Sequence, residues 1–245
     1  MGVIIVTGAS RGIGAATARS LGQSGHAVCV NFRSSAARAD EVVRDIEAAG
    51  GRALAVAADT ANEADVVRLF ETVDRELGTL TGLVNNAGIV GRPGKVADID
   101  AAGLRELLDV NVMGCFLCAR EAVKRMSRTR GGAGGAIVNV SSRAAALGGA
   151  NEWVHYAASK GAIDTFTIGL AKELGPEHVR VNAVRPGLID TEIHSGVPGR
   201  LQTLVSGVPL GRIGSPDEVA AVIAWLLSDE AAYVSGALVD ISGAR

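Results

Sequence analysis

The strongest constraint on the fold of this 245-residue chain is the alternation of short apolar runs with longer amphipathic stretches. The apolar runs are continuous, as expected of strands that helices cover on both faces. Strands are predicted at residues 3–7, 27–31, 53–57, 82–85, 136–141, 179–184 and 237–240. Helices are predicted between them, at residues 13–24, 35–49, 62–77, 101–127, 153–174 and 216–227.

This order of elements predicts an α/β fold. Repeated strand–helix–strand units imply right-handed crossovers, and hence a Rossmann-type, doubly wound parallel sheet of about seven strands with helices on both faces. No repeat or linker interrupts the pattern, so we expect a single domain over residues 1–245. Such sheets bind ligands beyond the carboxyl ends of their strands, where the strand order reverses. Functional residues are therefore expected in the loops that follow the strands.

Composition and charge argue against several partner classes. The net charge of -2 gives no electrostatic reason to expect a nucleic acid or an anionic membrane. No apolar run approaches the roughly 20 residues that span a bilayer, and the start does not resemble a signal peptide. Three cysteines are too few for a disulfide scaffold, which favours a reducing compartment, the cytoplasm. Cys115 and Cys118 lack a second ligand pair, so no metal site is predicted.

A glycine-rich loop at residues 7–14 joins the first predicted strand to the first helix. A phosphate group can reach backbone N–H groups at a helix N-terminus only where side chains are absent. Gly8, Gly12 and Gly14 meet that need, and Ser10, Arg11 and Ile13 are predicted to share the contact. The spacing Gly-x-x-x-Gly-x-Gly differs from the dinucleotide fingerprint Gly-x-Gly-x-x-Gly, and the loop also lacks the Gly-Lys-Ser/Thr ending of a triphosphate loop. The loop therefore predicts a phosphate site that is not an ATPase loop, and an ordinary glycine turn is the alternative.

The motifs, taken in order, resemble those of the short-chain dehydrogenase/reductase family. After the glycine loop come Asn85-Asn86-Ala87-Gly88 behind the fourth strand, Ser142 at the end of the fifth, and Tyr156 with Lys160 four residues later. The resemblance covers essentially the whole chain. It implies an NAD(P)-dependent enzyme in which the cofactor exchanges hydride with an alcohol or carbonyl substrate.

The Tyr156–Lys160 pair can also be argued from chemistry, because residues four apart share one face of a helix. A phenol has a pKa near 10, too high for proton exchange near neutrality. An ammonium at about 4 Å would favour phenolate by roughly 4 kcal/mol at an effective dielectric constant near 20. We therefore expect Lys160 to lower the pKa of Tyr156, which would act as general acid or base. A packed tyrosine beside a surface lysine is the alternative.

Two further residues are predicted to be catalytic. The hydroxyl of Ser142 can hydrogen-bond the substrate oxygen as charge develops on it. Ser141 is adjacent, and only one of the two can face the cleft; the resemblance favours the second serine. Asn111 matches the family position whose asparagine anchors a water in a proton relay. For both residues the alternative is a polar side chain bound to nearby backbone.

The resemblance implies more contacts with the cofactor. Tyr156 and Lys160 would also contact the cofactor, Lys160 at the nicotinamide ribose. Asp59 would meet the adenine amino group unless it caps the next helix. The remaining implied contacts are Thr60, Asn86, Ala87, Gly88, Pro186, Gly187, Ile189 and Thr191.

The end of the second strand favours NADP over NAD. An NAD enzyme would place an acid there for the ribose 2′-hydroxyl. Here Asn31 is followed by Phe32 and Arg33, with no Asp or Glu from residue 23 to residue 39. Arg33 and Arg11 offer guanidinium groups suited to a 2′-phosphate. Asn31 is included among the predicted cofactor contacts, and NAD remains the alternative.

Three further expectations concern the roles of the two parts of the domain, the substrate and the oligomeric state. Residues up to about 135 would bind cofactor, and residues 136–245 would hold the catalytic groups, with a lid at about 188–215. The substrate is open between a sugar or polyol and a 3-oxoacyl carrier-protein thioester. A nonenzymatic dinucleotide sensor is a weaker alternative, because it needs no serine, tyrosine and lysine together. The resemblance also implies a homo-oligomer, either a dimer or the expected tetramer, joined through the helices predicted at 101–127 and 153–174.

Overall fold

The computed structural model describes residues 2–192 and 204–245. Seven parallel strands form one sheet in the order β3-β2-β1-β4-β5-β6-β7, which confirms the predicted Rossmann-type fold. Every predicted strand is present, with its ends within two residues of the expected positions. The strands are β1 Val3–Val6, β2 Ala27–Phe32, β3 Arg52–Ala57, β4 Leu80–Asn85, β5 Gly135–Val140, β6 Val179–Pro186 and β7 Leu238–Ile241.

Helices occupy the stretches predicted for them, with one correction. The helix expected at 101–127 is interrupted by a π turn, Asp109–Met113, which separates two α-helices. The short helix α6 was not predicted. The helices are α1 Gly12–Gln23, α2 Ala36–Ala48, α3 Glu63–Glu76, α4 Ala101–Leu108, α5 Gly114–Met126, α6 Ala144–Leu147, α7 Val154–Leu174 and α8 Pro216–Leu227.

Two apolar layers cover the faces of the sheet. On one face α3, α5 and α7 pack around Phe70 and Leu83. On the other face α1, α2 and α8 pack around Leu21 and Ile223. All four residues of β1 are buried. Burial on both faces explains why the strands are continuous apolar runs.

The sheet reverses its order at β1, which pairs with β2 on one side and with β4 on the other. The loops that follow β1 and β4 therefore leave the same edge of the sheet beside each other, and a crevice opens between them. Among the described residues, no helix combines the length and apolarity that a membrane crossing requires. The predicted lid includes residues 193–203, which lie outside the described residues.

Candidate active site

Glycine is required in the loop after β1 by conformation and by space. Gly8 and Gly12 have φ angles of 61° and 54°, which other residues rarely adopt. A Cβ on Gly14 would lie 2.5 Å from Asn86 Nδ2 and 2.5 Å from the Gly8 carbonyl oxygen. Arg11, the N-cap of α1, makes no side-chain hydrogen bond to the first turn. This cradle at a helix N-terminus fits the phosphates of a dinucleotide.

Hydrogen bonds fasten the loop after β1 to the loop after β4. Thr7 Oγ1 accepts from the backbone N–H groups of Asn86 at 2.9 Å and Ala87 at 3.0 Å. The side-chain amide of Asn86 donates to the carbonyl oxygens of Thr7 at 2.8 Å and Gly8 at 3.0 Å. The crevice between β1 and β4 is therefore held at a fixed width. Thr7 was not predicted to be a functional residue, although it is the first residue of the glycine-rich loop.

Asn31, at the end of β2, supports the same loop from beneath. Its Oδ1 accepts from Gly8 N at 3.2 Å, and its Nδ2 donates to the carbonyl oxygens of Val56 at 3.2 Å and Ala58 at 3.1 Å. Only 1% of Asn31 is exposed. Both polar atoms of the side chain are thus bound to backbone. The contact of Asn31 with cofactor stays a prediction.

The far end of the crevice carries Arg33 and Asp59, whose Nη1 and Oδ2 are 4.0 Å apart. Asp59 is not the cap of α3, because Asn62 is the N-cap and accepts from Asp65 N. That excludes the helix-cap alternative for Asp59. Thr60 is buried behind it. Of the other loop residues, Ser10 and Arg11 line a surface cavity beside α1, whereas Ile13 packs against the core layer of α1 and α2.

The segment after β6 lies over the glycine loop. Gly187 N donates to Ile241 O, and a Cβ at Gly187 would lie 2.9 Å from Ser242 Cα. Pro186 and Ile189 are buried. The methyl carbon Cγ2 of Thr191 is 3.4 Å from the position that a Cβ on Gly12 would take. Thr191, one of the implied cofactor contacts, therefore lies beside the glycine loop.

Tyr156 and Lys160 share one face of α7, as predicted. Lys160 Nζ lies 5.8 Å from the centroid of the Tyr156 ring and donates to the Val140 carbonyl oxygen at 2.7 Å. The side chain of Ser142 lies near enough to the Tyr156 phenol to lower its pKa. A Cβ at Gly88, in the loop after β4, would be only 3.5 Å from Lys160 Nζ. The three groups therefore lie together at the wall of the crevice.

The pKa of Tyr156 is shifted opposite to the direction expected from the sequence. Burial raises it above the ordinary value, and the hydrogen bond from Ser142 opposes that rise. Burial also lowers the pKa of Lys160 to about 8. The expectation of a lowered tyrosine pKa was wrong here because the Lys160 ammonium is directed at the Val140 carbonyl, so desolvation dominates.

Asn111 lies in the π turn between α4 and α5 and joins two parts of the site. Its Oδ1 accepts from Ile89 N at 2.8 Å, and its Nδ2 donates to Ile89 O at 2.8 Å and to Ser159 Oγ at 3.0 Å. Ser159 Oγ donates to the Tyr156 carbonyl oxygen at 2.7 Å. Asn111 thus connects the loop after β4 to α7. Its contact with a relay water stays a prediction, and Ser159, three residues after Tyr156, was missed.

A buried polar network beneath the site was also missed in the sequence. Asn85 Nδ2 donates to Asn139 Oδ1 at 3.0 Å, and Asn139 Nδ2 donates to Thr167 Oγ1 at 2.9 Å. Ser141 Oγ donates to the Lys160 carbonyl oxygen at 3.1 Å. The hydroxyl of Ser141 is thus bound to the backbone of α7, in agreement with the alternation of side chains along a strand. Together these bonds fix α7 against β4 and β5.

The cysteines do not form a metal site in the described part of the chain, where no cluster of three or more metal-ligating side chains occurs. All three are free and buried. Burial raises the pKa of the Cys115 thiol to about 12. The thiols therefore remain protonated near neutrality and pack as small apolar groups.

The fold, the glycine cradle and the serine–tyrosine–lysine group together define the class of the protein. The family model described as enoyl-(acyl carrier protein) reductase matches residues 8–243. The chain belongs to the short-chain dehydrogenase/reductase family and is an NAD(P)-dependent oxidoreductase that acts on CH–OH or C=O groups.

Particular relatives match over almost the whole chain. The uncharacterized oxidoreductase YgfF of Escherichia coli (strain K12) is 49% identical, with 100% of each chain covered. The cis-4-hydroxycyclohexanecarboxylate dehydrogenase of Sinomonas cyclohexanicum is 40% identical over 98% of this chain and 95% of the relative. A short-chain dehydrogenase from Burkholderia cenocepacia J2315, solved in complex with NADP, has a TM-score of 0.91 and 35% identity, with 98% and 96% of the two chains covered.

Alanine at Gly14 is expected to displace the glycine loop, because its Cβ would meet Asn86 and the Gly8 carbonyl. We expect Gly14→Ala to lower the free energy of unfolding by about 1–3 kcal/mol and to weaken NADPH and NADH binding by about tenfold or more. Denaturant unfolding and calorimetric titration measure the two effects. Gly175→Ala is the control, since no atom lies within 4 Å of its added Cβ. Tight cofactor binding by Gly14→Ala would contradict the cradle.

Proposed function

We propose that the protein is an NADP-dependent oxidoreductase that interconverts a secondary alcohol and its ketone. The observation that carries this proposal is the convergence of Ser142, Tyr156 and Lys160 at the wall of the glycine-lined crevice. When bound, the nicotinamide ring donates or accepts hydride at C4. A dinucleotide sensor would need the cradle but not the three polar groups beside it.

Each residue has a definite task in this proposal. Tyr156 exchanges the proton of the substrate oxygen as general acid or base. Ser142 binds both the substrate oxygen and the tyrosine hydroxyl, so it orients the substrate and limits the rise of the tyrosine pKa that burial causes. Lys160 binds the hydroxyl groups of the nicotinamide ribose through its ammonium donors. Asn111 supports the proton relay by holding the loop after β4 to α7.

The preference for NADP rests on the cations around the adenosine end of the crevice. Arg11 lies in the glycine loop and Arg33 follows β2, where an NAD enzyme would carry an acid. Both side chains are more than half exposed and accessible to a 2′-phosphate. The solved relative in complex with NADP supports the same choice.

For the substrate we propose a cyclic or polyol-like secondary alcohol. The relative named as a dehydrogenase of cis-4-hydroxycyclohexanecarboxylate supports a hydroxylated ring. The free, buried state of Cys29, Cys115 and Cys118 supports a reducing compartment, and we assign the protein to the cytoplasm.

Turnover and its pH dependence test this assignment. With NADP, the wild-type protein should oxidise members of a panel of cyclic alcohols and polyols, and kcat/KM should fall as pH drops through the pKa of Tyr156. Ser142→Ala removes the hydrogen bond that lowers that pKa, so the falling limb should move to higher pH by about 0.5–1 unit. Turnover of 3-oxoacyl thioesters alone would contradict the substrate, and an unmoved limb would contradict the role of Ser142.

We further propose that the protein is a homo-oligomer, a dimer or a tetramer, joined through α5 and α7. Large apolar side chains of these helices and of the adjoining π turn are exposed, with Met113 51%, Phe116 45% and Ile168 38% accessible. The ring centroids of Phe116 and Phe166 are 3.9 Å apart, so the two helices present one continuous apolar surface. Such a surface favours a protein–protein contact.

Phe116→Glu is expected to dissociate the oligomer, because it places a charge on this apolar surface. Sedimentation equilibrium should give a multiple of the chain mass for the wild type and a smaller assembly for the variant. Val96→Glu is the control, since Val96 is 64% exposed but lies outside both helices. A wild-type mass of one chain would overturn the proposal.

A further inference from the structure

The carboxylate of Glu192 lies between two arginines in the surface cavity beside α1. Both of its oxygens contact Arg38 Nη1, at 2.6 and 2.7 Å. One of them, Oε2, also contacts Arg11 Nη1 at 3.4 Å. Arg38 lies in α2, and Arg11 lies in the glycine loop. Because both guanidinium groups reach the same oxygen atom, one small anion can contact both.

This arrangement lies in a surface cavity that borders the glycine loop proposed to hold the cofactor phosphates. Ser10, Arg11 and Gly12 of the glycine loop line a cavity of about 480 Å³, and Arg38 and Glu192 line the same cavity. Glu192 follows Thr191, whose methyl carbon lies 3.4 Å from the position that a Cβ on Gly12 would take. The three charged side chains are 49–61% exposed, so a ligand can reach them.

A phosphate monoester is a better partner for this pair of arginines than a carboxylate. It carries close to two negative charges near neutrality and three acceptor oxygens. Guanidinium groups bind phosphate through parallel, charge-assisted hydrogen bonds. The 2′-phosphate is the only monoester of NADP, and NAD lacks it. Arg11 is already proposed to bind that group, and Arg38 lies within reach of the same anion.

We propose that Arg38 is a further specificity residue for the 2′-phosphate of NADP, and that the Glu192 carboxylate competes with this phosphate for Arg38 and Arg11. The inference rests on the proposed NADP dependence. It assigns opposite effects to two residues in contact: Arg38 strengthens NADP binding and Glu192 weakens it. Neither residue affects NAD through this contact, because NAD brings no competing phosphate.

Dissociation constants for NADPH and NADH, measured by fluorescence titration, test the proposal. Glu192→Gln keeps the size of the side chain and removes its charge, and it should tighten NADPH binding about two- to fivefold. Arg38→Ala should weaken NADPH binding roughly tenfold. Neither variant should change the affinity for NADH. In the double variant the gain from Glu192→Gln should largely vanish, because the two side chains act through one contact.

Two control variants separate this contact from general charge effects. Arg44→Ala and Glu47→Gln remove charges from exposed positions of the same helix, outside the cavity, and should leave both affinities unchanged. Calorimetry with adenosine 2′,5′-bisphosphate, which lacks the nicotinamide ring, should show the same order of affinities as NADPH.

The proposal is overturned if Glu192→Gln weakens the binding of both cofactors, since Glu192 would then stabilise the bound state of NADPH and NADH alike. It is also overturned if Arg38→Ala affects NADPH and NADH equally. Failure of the proposed function looks different, because the wild-type protein would then bind neither cofactor or would bind NADH more tightly than NADPH.

Discussion

The hydrogen bonds between the loops after β1 and β4 are the interaction on which the rest of the site depends. These loops meet where the strand order reverses, and Thr7 and Asn86 connect them in both directions. The contact is so close that a side chain at Gly14 has no room. One wall of the resulting crevice offers helix N–H groups, and the other wall, at Gly88, lies against Lys160. Cofactor cradle and catalytic group are thereby placed side by side.

The catalytic group is costly to bury, and its surroundings show how the cost is offset. Only 5% of Lys160 is exposed, and the burial that lowers its pKa to about 8 also raises the pKa of Tyr156. The Val140 carbonyl accepts from the ammonium, and the nearby Ser142 side chain opposes the rise in the pKa of the phenol. Asn111, Ser159 and the Asn85–Asn139–Thr167 network hold the surrounding elements in place. Shifted groups of this kind are typical of active sites.

How much could be predicted from the sequence depended on whether a feature is local. The strands, the glycine cradle and the shared face of Tyr156 and Lys160 follow from periodicity and spacing, and the structure has all of them. The π turn at Asn111 adds a residue to one helical turn without interrupting the apolar pattern, so it left no signal. The direction of the Tyr156 pKa shift depended on burial, which spacing does not reveal. The Arg38–Glu192 contact joins residues 154 positions apart, and only the folded chain brings them together.

The central claim is that the hydroxyl of Tyr156 exchanges the substrate proton, and the removal of that oxygen tests it most directly. In single-turnover experiments followed by nicotinamide absorbance, Tyr156→Phe should slow hydride transfer by about 10²–10⁴-fold, with the dissociation constant for NADPH nearly unchanged. Tyr233→Phe is the matched control, because Tyr233 is the other tyrosine of the chain and is fully exposed. Hydride transfer by Tyr156→Phe at close to the wild-type rate would contradict the account.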